Sequence, residues 1–155
     1  MCTRRWTIVP VVALCGLLLP MAVSAKKQVE RPFKLHGEST VTINLQDGTF
    51  TIVEESGEAT HLGRFTASGG GTVDLLIGHL EASGYHTAAN GDTVFWELTQ
   101  DGPGGPPLIT ITGGTGRFEG AGGSWTVTAF DETVEIAFPL LIITHSVSGI
   151  GTITY

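Results

Sequence analysis

The chain has 155 residues, 22 glycines, two cysteines and a formal net charge of −7, with 15 acidic against eight basic residues. This length fits a single domain, and the acidic balance argues against a nucleic-acid partner because phosphate backbones would be repelled. Both cysteines, Cys2 and Cys15, lie near the start, so the rest of the chain has no disulfide framework, thiolate nucleophile or cysteine metal site.

The first 25 residues have the three-part pattern of a secretory signal peptide. Arg4 and Arg5 precede an apolar run at 6–21, and the small residues at 23–25 suit cleavage after Ala25. A membrane anchor is the alternative, but the run is shorter than the ~20 apolar residues of a spanning helix, and prolines interrupt it. We therefore predict a signal peptide at 1–25, a secreted or periplasmic location, and no membrane association after cleavage.

The remaining chain is predicted to form an N-terminal arm at 26–37 and one β domain at 38–155. Short β-branched runs between glycines, without any helical periodicity, are typical of a meandering antiparallel sheet. In the first half we predict strands at 38–45, 49–54, 58–67, 72–78 and 84–89. We predict hairpin turns at Asp47-Gly48, Ser56-Gly57 and Asn90-Gly91, a glycine loop at 69–71 and a short helical turn at 79–83.

The second half continues the same pattern to the C-terminus. Strands are predicted at 92–100, 108–112, 124–130, 133–138, 141–148 and 149–155, with a proline-rich loop at 101–107 and a glycine-rich connection at 113–123. Such a series suits either a sandwich or a barrel. Two features favour a closed barrel: Gly63 within a strand can relieve crowding at a bend, and the final segment lacks any edge-protecting charge.

Residues 108–121 carry a family pattern: an apolar strand, then Gly-Gly-Thr-Gly-Arg-Phe, then small residues. This pattern resembles the hallmark of allene oxide cyclase and its dirigent relatives, and the matching positions are Ile111, Thr112, Gly113, Gly114, Thr115, Gly116, Phe118, Glu119, Gly120 and Ala121. The chain is also similar to small exported bacterial proteins over 59–66 and 88–92. The resemblance implies an antiparallel barrel of about eight strands. The cyclase's catalytic positions have no match here.

No cofactor or metal is expected. The glycines at 113–116 do not fit a dinucleotide-binding loop, because no helix follows to offer its N-terminus. The histidines have no close spacing on a strand or helix, as a metal site would need.

Three titratable residues are the candidate catalytic groups. Strand alternation places His61 on the face of Phe65, where it is either a general base beside a cavity or a hydrogen-bonded core histidine. The same two interpretations apply to His145. Glu97 shares a face with Phe95, and would have a raised pKa inside a barrel but no special role in water. The remaining histidines, His36, His79 and His86, lie in the arm or near predicted turns and are expected in solvent.

The candidate ligand-binding residues are aromatic: Phe65, Phe95, Trp96 and Trp125. They would line a cavity if the barrel is open, because barrels of about eight strands either hold one small ligand or are filled by their own side chains. The first functional hypothesis is therefore an exported barrel that binds an apolar or amphipathic small molecule. The alternatives are an isomerase or cyclase resembling allene oxide cyclase, and an extracellular structural or interaction module without a site.

Overall fold

The computed structural model describes residues 28–102 and 105–155, so the predicted signal peptide lies outside the described residues. Eight strands make up nearly all of the structure, with one 3₁₀-helix at Gly116–Phe118. The strands are β1 (Glu30–Asn44), β2 (Thr49–Ala59), β3 (Gly63–Val73), β4 (Leu80–Ala88), β5 (Thr93–Gln100), β6 (Leu108–Gly114), β7 (Gly122–Ala137) and β8 (Leu140–Thr154).

The strands form a closed antiparallel barrel in sequential order, as predicted. Closure comes from β8, which pairs with β1 from Glu30↔Thr154 to Asn44↔Leu140 and also pairs with β7. The C-terminal segment therefore has a partner on both sides, which removes the unprotected edge seen in the sequence. Because β1 begins at Glu30, residues 30–37, which we assigned to an N-terminal arm, lie within the barrel wall.

Several predicted turns are wrong because glycine serves a different purpose in this sheet. The chain does not turn at Ser56-Gly57, where β2 continues, nor at 69–71, where β3 continues. A Cβ at Gly71 would lie 2.5 Å from the Ala82 Cα and still closer to the carbonyl oxygen of Glu81. These glycines allow close approach of adjacent strands rather than a reversal of the chain. The predicted strand at 72–78 and helical turn at 79–83 are replaced by a loop at 74–79 and by β4.

Two long strands, β7 and β8, each unite segments that we predicted to be separate. A bulge between Phe130 and Thr133, with Asp131 at φ 53°, joins the two halves of β7. Residues 141–148 and 149–155 are one strand, β8. Bulges bend a strand without ending its pairing. These two mergers, together with the loop found in place of the strand at 72–78, reduce the eleven predicted strands to eight.

Two hairpin turns are confirmed. Gly48 and Gly91 both have positive φ, at 72° and 89°, as the predicted Asp-Gly and Asn-Gly turns require. The Asp47 carboxylate accepts a hydrogen bond from the Thr49 backbone N–H at 2.9 Å, and this bond lowers the pKa of Asp47.

Antiparallel order gives the barrel two unlike ends. At one end the 3₁₀-helix covers the interior, and the buried side chains of Phe33, Val94, Phe118 and Ile153 fill the space; we call this the closed end. The loops at 45–48 and 74–79 and the described residues of the β5–β6 connection, 101–102 and 105–107, lie at the opposite end, which we call the mouth. No helix in the described part of the chain is long and apolar enough to cross a membrane.

His79, in the loop before β4, binds carboxylates on both ring nitrogens. Its Nε2 lies 3.2 Å from Glu81 Oε1, and its Nδ1 lies 3.1 Å from Asp101 Oδ1. The hydrogen bond to Glu81, supported by both charges, raises the pKa of His79 above its usual value. Because the folded pKa is raised, this contribution to stability is complete below the unfolded pKa and is lost as pH rises through the folded pKa.

We expect an NMR titration of the imidazole to give a pKa above that of a free histidine, and Glu81→Gln to lower it. His36, which is exposed and has no such carboxylate contact among the described residues, is the internal control. An unchanged His79 titration in Glu81→Gln would show that the pair is absent in solution.

Candidate functional site

A cavity of about 250 Å³ occupies the middle of the barrel and reaches the mouth. Its wall is mostly apolar, and near the mouth it is lined by Pro107 and by the exposed Glu132. Apolar cavities of roughly 150 Å³ hold molecules the size of benzene, so this one has room for a larger guest. Further apolar lining residues are Leu35, Val41, Phe50, Ile52, Leu80, Leu98, Ile109, Val127, Ala129, Ile143 and Val147.

Four polar side chains line the cavity wall at the same height in the barrel. We call this set, His145, Ser39, Glu55 and His86, the polar belt. Strand register aligns them, because Ser39 pairs with His145 on one side and with Glu55 on the other. Glu55 in turn pairs with Ala67, which pairs with His86. The small side chain of Ala67 leaves space for the Glu55 carboxylate to reach His86 across β3.

The centre of the polar belt is a buried acid–histidine contact. Glu55 Oε1 lies 3.3 Å from His86 Nε2, and the two side chains are 13% and 3% exposed. The Ser39 hydroxyl donates to Glu55 Oε2 at 3.4 Å, a long hydrogen bond. This arrangement holds the imidazole in a fixed orientation and places a carboxyl group inside an otherwise apolar cavity.

Glu55 faces inward because β2 contains a bulge. The register to β1 shifts between Thr40 and Val41, so Val53 is the extra residue of β2. Phe50 and Ile52 face the cavity before the shift, and Glu55 faces it afterwards. Without the bulge, strand alternation would put Glu54 inside and Glu55 outside.

Aromatic side chains surround His86. Its ring centroid lies 4.8 Å from that of Phe65, 5.9 Å from Trp96 and 5.7 Å from Trp125. Both indoles lie over glycines: a Cβ at Gly84 would be 2.5 Å from Trp96 Cζ2, and one at Gly149 would be 2.8 Å from Trp125 Cδ1. The glycines thus make room for two large side chains within a narrow barrel.

Four buried nitrogens of the cavity wall have no hydrogen-bond partner among the described residues. They are Nδ1 of His86 and of His145, and Nε1 of Trp96 and of Trp125. Buried polar groups are normally paired, with protein or with ordered water. Their concentration around one cavity marks a part of its wall whose hydrogen bonding the described protein groups leave incomplete.

The three candidate catalytic residues do not converge. His61 has φ 73° in the turn between β2 and β3, so the predicted strand at 58–67 is interrupted and its two ends belong to different strands. Its Nε2 lies 3.1 Å from the Pro32 carbonyl oxygen at the closed end. Glu97 is exposed on the outer face of β5, and His145 lines the cavity. These three residues therefore do not form one catalytic site.

The four candidate ligand-binding aromatics divide in a similar way. Trp96 and Trp125 line the cavity, and Phe65 is buried behind His86. Phe95 is 41% exposed on the outer face, as alternation with Trp96 requires.

Sequence reasoning missed His86, Glu55 and Ser39. We expected His86 in solvent, but it is 2% exposed. The reason is that β4 begins at Leu80, so that His86 lies within this strand on the same inward face as Ala82 and Ala88. The spacing of His86 two residues from Ala88 and four from Ala82 was the sequence signal that could have indicated its burial. For Glu55 the sequence contains no comparable signal, because its orientation depends on the bulge.

Apart from the two histidines, the ionisable groups of the described cavity wall are acidic. Glu55 and Glu132 contribute carboxyl groups, and among the described residues no lysine or arginine lines the cavity. Across residues 28–102 and 105–155, no group of three or more histidine, aspartate or glutamate side chains is placed to hold a metal ion.

Comparison with known proteins supports the barrel type. No protein-family model matches the sequence, and no curated protein sequence matches it either. Among solved structures, a pterocarpan synthase dirigent protein is similar, with a TM-score of 0.60 and 14% identity, over 90% of this chain and 99% of that one. At this level of identity the likeness shows a shared fold, the closed eight-stranded barrel.

Proposed function

We propose that this protein, whose fold is that of the dirigent-like barrels, is exported and binds an apolar or amphipathic small molecule inside its barrel. The observation that carries the proposal is the open, mostly apolar cavity of about 250 Å³. Pockets for small molecules combine such walls with a few polar groups that orient the ligand. Export is supported by the signal-peptide pattern of residues 1–25.

The mouth supports entry of an apolar guest. Exposed apolar side chains stand in the loop before β4 and at the β7–β8 turn, where Leu76 is 95% and Phe138 76% exposed. Ile77 and Ile136 are also exposed, at the same end. Large exposed apolar side chains on two sides of the mouth favour contact with an apolar ligand.

Filling the cavity should abolish binding. Val127 lines the cavity and is only partly buried, so Val127→Trp would place an indole in the open space. We expect the affinity for the neutral fluorescent probe N-phenyl-1-naphthylamine to fall by more than about tenfold, a loss above 1.4 kcal/mol. A fluorescence titration of the chain without residues 1–25 measures the effect.

Thr128→Trp is the matched control, because Thr128 is the next residue of β7 and is exposed on the outer face. It should bind the probe as the parent protein does. Equal probe affinity in Val127→Trp and the parent would place the probe outside the barrel and refute the proposal. Native mass spectrometry of the purified protein, followed by organic extraction, is an independent test, since it would identify any resident ligand.

The isomerase or cyclase alternative would use the same cavity. Its specific support is the buried Glu55–His86 contact, which could move a proton in a site shielded from water. Conversion of the extracted ligand on incubation with the protein would distinguish an enzyme from a carrier.

A further inference from the structure

The polar belt has more hydrogen-bond capacity than the protein uses. Glu55 has two carboxyl oxygens; Oε1 contacts His86, whereas Oε2 has only the 3.4 Å contact with Ser39. If His86 donates from Nε2 to Glu55, its Nδ1 is left with a free lone pair, a consequence of the neutral imidazole having one donor and one acceptor. The belt therefore offers acceptors to a group that can donate.

Donors are available at the same cavity. The indole N–H groups of Trp96 and Trp125 can only donate, and neither has a partner among the described residues. Both indoles are 2% exposed, so water outside the barrel does not satisfy them. A hydroxyl group can donate and accept at once, and it matches such a mixed set better than a carbonyl or an ether, which only accepts.

The charge of Glu55 makes the cavity more favourable for neutral ligands than for anionic ones. A carboxylate placed against the Glu55 carboxylate would meet like charge in a mostly apolar site, and the described lining contains no lysine or arginine to neutralise it. The basic groups of that lining are the imidazoles of His86, which Glu55 already engages, and of His145. An unpaired charge of the same sign as a competing ligand is an effective way to reject that ligand.

The direction of insertion follows from the layout of the wall. The polar belt lies at mid-height, and apolar side chains such as Phe50, Ile52 and Leu98 lie between it and the mouth. An amphipathic molecule would therefore enter with its polar group first and leave its apolar part against the upper wall.

We propose that the cavity selects neutral amphiphiles that carry a hydroxyl group, binds that hydroxyl at the polar belt through Glu55 and His86, and excludes the corresponding carboxylates. This inference rests on the proposed binding function and specifies its ligand class. Glu55 is the residue that determines specificity, since it supplies both the acceptor for the hydroxyl and the charge that repels an anion.

The test compares three competing ligands with the same chain of eight carbons: 1-octanol, 2-octanone and octanoate. Each competes with N-phenyl-1-naphthylamine for the protein at pH 7. We expect 1-octanol to displace the probe at the lowest concentration, with 2-octanone weaker and octanoate weaker than 1-octanol by about tenfold or more, as a lost hydrogen bond to a charged group plus repulsion implies.

Glu55→Gln keeps the shape of the side chain but removes its charge. We expect it to weaken 1-octanol binding by about fivefold to tenfold and to strengthen octanoate binding, so that the preference narrows or reverses. Glu97→Gln removes a carboxyl from the outer face of β5 and should leave all three affinities unchanged. Unchanged thermal unfolding of both variants would show that the barrel is intact.

The outcomes separate the two proposals. Octanoate binding as tightly as 1-octanol, or an unchanged preference in Glu55→Gln, would overturn the inference while probe binding in the barrel still stands. Failure of all three compounds to compete, with Val127→Trp still blocking the probe, would overturn it in the same way. Absence of any probe binding to the parent protein would remove the proposed function and this inference with it.

Discussion

Phe118→Ala should lower the free energy of unfolding by about 3–5 kcal/mol, the range for truncating a fully buried phenylalanine. Phe118 is 0% exposed, at the end of the 3₁₀-helix that covers the closed end of the barrel. Its ring packs edge-on against the Tyr155 ring, with 5.2 Å between the two ring centroids, and the Arg117 guanidinium lies 4.8 Å from the Phe118 ring centroid. Urea unfolding, followed by tryptophan fluorescence, measures the change.

Phe95→Ala is the matched control for this loss. Phe95 is the same residue type but is 41% exposed on the outer face, so its removal should cost less than about 1 kcal/mol. Equal destabilisation by the two substitutions would mean that the 3₁₀-helix does not seal the barrel. In that case the cavity would be open at both ends, and the proposed orientation of the ligand would lose its basis.

Gly71→Ala should cost about 3 kcal/mol or more, although it adds one methyl group. Gly71 pairs with Ala82 on the adjacent strand, and a Cβ here would lie 2.5 Å from the Ala82 Cα. The obstructing atoms belong to the backbone of β4, including the Glu81 carbonyl oxygen, so relief requires that two strands move apart. Overpacking against flexible side chains costs 1–3 kcal/mol, and a rigid backbone leaves less room for adjustment.

Gly105→Ala is the control for glycine replacement as such. A Cβ at Gly105 would have its nearest contact at 3.7 Å, an ordinary van der Waals distance, in the loop between β5 and β6. We expect no loss of stability there, and a gain of about 0.4–1 kcal/mol from the reduced freedom of the unfolded chain. A Gly71→Ala protein as stable as Gly105→Ala would show that β3 and β4 are farther apart than the structure has them.

Local signals explain the part of the fold that was predicted correctly. The Asp47-Gly48 and Asn90-Gly91 turns depend on a glycine with positive φ between two apolar runs, and both are found where predicted. The segment at 108–121 correctly indicated the barrel type. The unprotected C-terminal edge correctly indicated closure, since β8 pairs on both sides.

The candidate site was predicted only in part. Trp96 and Trp125 line the cavity, as their aromatic character suggested, and so does His145, as strand alternation suggested. Glu55 could not be found in this way, because the extra residue Val53 reverses the alternation before it. The partnership of Glu55 with His86 joins residues on strands that are not adjacent, which no pattern along the chain reveals.

By itself the sequence determined the all-β class, two of the hairpin turns and the acidic, cysteine-poor character of the barrel. These features depend on the residues within one short segment or on composition alone. Only the tertiary structure decided which glycines lie inside strands, where the bulges fall and which polar side chains meet in the cavity. The reason is that a bulge or a close strand contact depends on the pairing partner across the sheet, and a single shifted residue changes which side chains face the interior.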